Sequence, residues 1–245
     1  MELLYRFFVE NTPPPRTILT AGPFFLLWAY ACLRFSAYLK CTRGVKTSYT
    51  RKTFHVLTFL TAFGLQLAWG LPVVCLYGGM VSLVLAYAVL RGEGHPLYEA
   101  LAREQDAPHR THFVVVPFFA TLAGGVASNL LFGPASVIGY LVGGLGDAAG
   151  EPVGTRWGRH RYAVPSFGKV KVTRSVEGSL GVLVASLVAV AVGVWLSPAL
   201  DFTPRTIALL PVLALCCALL EAASPHGWDN TTMQVVPAYM AATLL

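Results

Sequence analysis

The chain has 245 residues, 55% of them hydrophobic and only 12% charged, against about 25% charged in an ordinary soluble domain. A mean hydropathy of +0.60 and recurring apolar runs of the roughly 20 residues that cross ~30 Å of hydrocarbon exclude a soluble enzyme and predict an all-α polytopic membrane protein. The formal charge of +6 and pI near 9.2 call for no nucleic acid, since no aromatic-basic surface module accompanies them.

The first apolar run starts at Ile18 behind Pro13-Pro14-Pro15 and predicts a span over 17–39, long enough to stay as an anchor rather than be cleaved as a signal peptide. A basic segment, 40–53, leads into spans expected at 54–70 and 71–90, separated by the turn Trp69-Gly70-Leu71-Pro72. Spans then come at 113–132 and 134–150, divided by Gly133-Pro134, and at 179–200, 204–222 and 232–245. The fifth and last are short, so the expectation is seven or eight transmembrane helices in a single integral membrane domain, residues 1–245. Five cysteines show no CxxC pair, which argues against a disulfide framework or a zinc site.

Charge orients the spans. Fourteen of the 18 Lys and Arg fall in 40–53, 91–112 and 151–178. Positive loops stay cytoplasmic, so the N-terminus is expected outside and those three segments inside, against the anionic headgroups of membrane lipids. The acids have a pattern too. Of 12 Asp and Glu, five (Asp147, Glu151, Glu177, Glu221 and Asp229) sit at or just beyond the expected cytoplasmic ends of the last four spans. Ionisable groups at such depth are costly and mark function.

"GDAAGEPVGTRWG", residues 146–158, carries two of these acids. Gly146, Gly150, Gly154 and Gly158 recur every fourth residue and form one bare helical stripe. It reads either as a small-residue packing seam or as backbone left open to a phosphate. Asp147 and Glu151, four apart, share a face. Paired carboxylates repel unless a cation lies between them, and a hard divalent ion such as Mg²⁺ prefers such oxygens.

Residues 159–179 read as a cytoplasmic β-hairpin within a nucleotide-binding loop, 151–178. Pro165 to Gly168 supplies the turn, and Lys169-Val170-Lys171-Val172 alternates as a strand does. Arg161, Lys169 and Lys171 would share one face. Ser175 is the expected N-cap of the next helix, whose N-terminus favours anions. Two more basic and polar groups look to the same side. Arg51, Lys52 and His55 lie within one helical turn and suit a phosphate; the alternative is a structural interface histidine. Asp229-Asn230 comes after a break between the last two spans, as a ligand pair or as a turn and cap.

In order, these stretches are Arg51-Lys52…His55, Gly146-Asp147…Gly154, Lys169 to Arg174, Ser175-Val176-Glu177-Gly178 and Glu221…Asp229-Asn230…Pro237. The series resembles the CTP-dependent polyprenol kinase family, which includes dolichol kinases, phytol kinases and a CTP-dependent diacylglycerol kinase. The resemblance covers residues 51 to 237. Arg174 stands where the family usually has lysine, and Gly150 where alanine is more common. The resemblance implies transfer of the γ-phosphoryl group of CTP to a lipid alcohol with Mg²⁺.

Carried onto these residues, it assigns Asp147, Glu177 and Asp229 to catalysis, and Asp147, Glu151, Glu177 and Glu221 to the metal. Nucleotide binding would fall to Arg51, Lys52, His55, Gly146, Gly150, Gly154, Lys169, Lys171, Arg174, Ser175 and Asn230. Asp147 or Asp229 would accept the alcohol proton. No GxxxxGK[ST] stretch occurs, so an ordinary P-loop is not used. The rivals are a membrane cytidylyltransferase making a CDP-lipid and, from another class, an ion-coupled transporter, which would place its acids near mid-bilayer.

Overall fold

A computed structural model describes residues 2–166 and 171–245. The helices gather into two compact units, Met1–Leu101 and Ala102–Leu245. In the first, a short helix α1 (Glu2–Glu10) precedes α2 (Pro15–Cys41), α3 (Thr47–Trp69), α4 (Leu71–Arg91) and one turn, α5 (Pro96–Glu99). Gly70 joins α3 to α4 at φ 80°, a backbone that only glycine adopts without strain, and Pro72 sits in the first turn of α4, where its missing N–H costs nothing. Thr50 at the head of α3 donates to the carbonyl of Ala100 at 2.8 Å, tying α3 to the chain just after α5.

The second unit holds α6 (His112–Phe132), α7 (Ser136–Leu141), a π turn over Val142–Gly146, α8 (Asp147–Trp157), strands β1 (Arg161–Val164) and β2 (Val172–Ser175), then α9 (Val176–Leu196), α10 (Pro204–Ala223) and α11 (Asp229–Leu244). Two close approaches hold its helices. A Cβ on Gly124 of α6 would lie 2.6 Å from the Gln234 amide nitrogen of α11, and one on Gly193 of α9 2.6 Å from the Ile138 methyl of α7. Small residues let membrane helices pack to backbone contact.

All eight expected spans are helical. Five stretches are long and apolar enough to cross a membrane: Pro15–Cys41, Leu71–Arg91, the 46-residue run His112–Trp157, Val176–Leu196 and Pro204–Ala223. This is an integral membrane protein. The expected span at 54–70 belongs to a longer helix, α3, whose first turns carry Arg51, Lys52 and several hydroxyl residues. The last is only 16 residues, short of the roughly 20 that a crossing needs. The sixth begins three residues earlier than expected, because Ser175 accepts the Gly178 N–H at 3.0 Å and caps it there.

The hairpin is antiparallel, with Tyr162 opposite Arg174 and Val164 opposite Val172. Those four residues share one face, and Val164 on it is buried. Arg161 and Thr173 belong to the opposite face and are exposed. Lys171 is exposed as well, whereas Lys169 and the end of the expected turn fall outside the described residues.

Candidate active site

Asp147 owes its position to the π turn before it. Val142–Gly146 winds wider than the α-helices on either side. Such a turn rotates the helix beyond it relative to the helix before it, and it recurs at functional sites. Asp147 thereby opens α8 almost fully buried, at 2% exposure. The bare stripe of the same helix is filled by protein: a Cβ on Gly146 would lie 2.4 Å from the Ser186 hydroxyl of α9. Gly150 meets Val182 at 3.0 Å, and Gly154 meets the Ser175 hydroxyl at 2.9 Å. The glycines thus form the α8–α9 seam.

Two further carboxylates reach Asp147 from other helices. Glu221 lies in the last turn of α10 and Asp229 in the first of α11. One carboxylate oxygen from each of the three lies within 4.8 Å of the others. At that separation each pair of ionised carboxylates costs about 3 kcal/mol or more at an effective dielectric near 20, so ionised acids here call for a cation beside them.

Arg174 supplies one. Its Nε donates to Glu221 Oε1 at 2.8 Å and its Nη2 to Asp229 Oδ2 at 2.7 Å. Its Nη1 reaches the backbone carbonyls of Glu221 and Ser224, where the end of α10 presents partial negative charge. The inward face of β2 delivers this arginine. Three carboxylates and one guanidinium leave a formal charge of −2 on the set. A hard divalent cation fits such donors, since carboxylate oxygens from separate, packed helices match its preference.

The other expected site residues lie on several elements. Glu177 caps the bend after α8: its carboxylate accepts from the backbone N–H groups of Arg159 and His160 at 3.1 and 3.3 Å and pairs with His160 Nδ1 at 2.8 Å. It is not one of the three converging acids. Glu151 turns to Arg103 at 3.1 Å. Asn230 ties α11 to α6 through Pro117 O and Thr121 Oγ1, at 3.0 and 2.9 Å. Ser175 is the cap of α9. Arg51, Lys52 and His55 lie on α3 of the first unit, where Lys52 is buried and His55 stacks 4.5 Å from Phe59.

Three residues near α8 escape a reading of the sequence. Arg103 forks onto Asp106 at 2.9 and 2.8 Å and also meets His226 Nε2 at 2.6 Å. The spacing Arg103-x-x-Asp106 is the one signal of it, and burial is not readable from a polar loop.

Comparison with known proteins bears on where this cluster belongs. The phytol kinase of Synechocystis sp. (strain ATCC 27184 / PCC 6803 / Kazusa) is 30% identical over 193 residues, covering 78% of this chain and 77% of that protein. The chain belongs to the polyprenol and phytol kinase family. Covering 78% of the chain takes more residues than the second unit holds, so the likeness of this family member to the cyanobacterial kinase extends into the first unit. No family model matches the chain, and no solved structure does.

Proposed function

We propose that the chain is a lipid kinase that moves the γ-phosphoryl group of CTP to the hydroxyl of a membrane isoprenoid alcohol. Phytol leads as acceptor, because the cyanobacterial relative is a phytol kinase; polyprenol and dolichol are the other members of the class. The observation that carries the reading is the meeting of Asp147, Glu221 and Asp229 from three helices within 4.8 Å. Such an arrangement suits phosphoryl transfer, which asks for positioning and charge neutralisation more than for covalent chemistry.

Mg²⁺ would be held by Asp147, Glu221 and Asp229 and would neutralise the triphosphate. Arg174, already seated between two of these acids, presents a planar fork suited to phosphate oxygens. Lys171, exposed beside the hairpin, meets the incoming nucleotide. Asp147 or Asp229 accepts the alcohol proton as the oxygen attacks phosphorus. Burial of Asp147 keeps water from competing for the phosphoryl group.

For the chain in its membrane, we infer seven or eight crossings: dividing the 112–157 run near Gly133 and counting α3 gives seven, and the short α11 would be the eighth. The N-terminus is outside and the carboxylates face the cytoplasm, as the basic loops argue. Glu221 and Asp229, at the adjoining ends of α10 and α11, fit a surface reaction better than a mid-bilayer carrier. The test is incubation of the protein in lipid nanodiscs with phytol, other lipid alcohols and CTP labelled at the γ or α phosphate, with ATP as rival donor. Label from γ-labelled CTP in phytol, lost in Asp147→Asn, is expected. Label from the α position, or full activity in Asp147→Asn, overturns the proposal.

A further inference from the structure

Arg103 lies outside every motif that carried the family resemblance, yet it is among the most heavily engaged cations of the second unit. Its side chain is 8% exposed. All its directed contacts are donated: two to Asp106, one to Glu151 Oε1 on α8, and one to His226 Nε2 in the link between α10 and α11. Arginine has no acceptor, so His226 must accept at Nε2 and carry its proton on Nδ1. Arg110 holds the backbone of this segment in turn, donating to the carbonyls of Ala102 and Arg103 at 2.8 and 3.3 Å.

The partners of Arg103 are the informative part. Glu151 is one helical turn beyond Asp147 on α8. His226 lies between Glu221 and Asp229 in sequence, its ring 5.1 Å from Phe113 and its backbone N–H donating to Pro165 O at 2.9 Å. One guanidinium therefore spans the two backbone segments that carry all three converging carboxylates. We propose that Arg103, acting through Glu151 and His226, is a positioning residue that sets the separation between Asp147 and the Glu221–Asp229 pair. Glu151, the turn-mate of Asp147, belongs to this clasp rather than to the metal.

This proposal rests on the phosphotransfer reading above. Outer groups that orient metal-binding carboxylates affect metal affinity or activity by about 10- to 100-fold. Arg103→Lys keeps the charge but loses the rigid fork, so kcat falls about tenfold or more while KM for the alcohol stays near the wild-type value. His226→Phe keeps a ring against Phe113 and removes only the acceptor; it lowers kcat in the same direction. Both variants weaken binding of Mn²⁺ alone, read by electron paramagnetic resonance on protein in nanodiscs without nucleotide or lipid alcohol. Glu151→Gln, whose carbonyl still accepts from Arg103, retains Mn²⁺ affinity, whereas Asp147→Asn loses it.

A fall in melting temperature with kcat and Mn²⁺ affinity unchanged per folded molecule overturns the proposal, for that is the signature of a merely structural ion pair. Loss of Mn²⁺ affinity in Glu151→Gln to the level of Asp147→Asn also overturns it, by making Glu151 a ligand. Full kinase activity in Asp147→Asn is a different failure and removes the function reading beneath it.

Discussion

Asp147 and Glu151 are four residues apart on one helix, yet they enter different networks. Asp147 joins Glu221 and Asp229, the last two of them paired with the guanidinium of Arg174. Glu151 joins Arg103, where an arginine fork already holds Asp106 and a neutral His226 ring completes the set. Four residues of helix are about 6 Å of rise, enough for neighbouring carboxylates to meet different elements. The first set sums to −2, three carboxylates against one guanidinium. The second sums to −1, two carboxylates against the Arg103 guanidinium.

The sharpest way to break this contrast is Asp147→Asn, which should lower lipid phosphorylation on the order of 100-fold or more and leave the melting temperature near wild type. Next comes Arg174→Gln. Removing one partner of a buried charge pair costs about 3–5 kcal/mol, so this variant should melt markedly lower, and high Mg²⁺ should recover part of the loss by replacing the missing cation. A melting temperature unmoved by Arg174→Gln would show that Arg174 does not bind the acids together.

The contrast is sharpened from the other side of α8 by Gly146→Ala, whose new methyl meets the Ser186 hydroxyl at 2.4 Å. Overpacking of this kind costs about 1–3 kcal/mol. Adding Ser186→Ala removes the obstructing oxygen and should restore most of the stability, a coupling that a double-mutant cycle measures directly. The smallest effect is expected of Lys171→Ala. An exposed lysine meeting phosphate should change KM for the nucleotide by roughly 2- to 5-fold, and less at high salt.

Local pattern carried much of the fold. Apolar runs located the helices, a hairpin expected within 159–179 is found with β2 at Val172–Ser175, and Ser175 announced the cap of α9. Among the site residues, spacing alone could not say that Asp147 meets partners more than 70 residues further along, because that meeting is set by how α8, α10 and α11 pack. Nor could it separate Glu151 from Asp147, since a shared helical face says nothing about what lies opposite each turn. The inward aim of Arg174 was readable in principle. Lys171 and Arg174 are three apart, and strand residues an odd number apart face opposite ways. Glu177 looked like one more acid of the set, but it lies at the start of α9, where backbone N–H groups compete for it.

The most direct test of the central claim, that Asp147 ligates the ion serving phosphoryl transfer, is Asp147→Cys assayed for phytol phosphorylation with Mg²⁺ and with Cd²⁺. A thiolate is a poor partner for Mg²⁺ and a good one for a soft ion. The account predicts negligible activity with Mg²⁺ and substantial recovery with Cd²⁺, relative to the wild-type protein under each metal. Wild-type activity of Asp147→Cys with Mg²⁺ would contradict it.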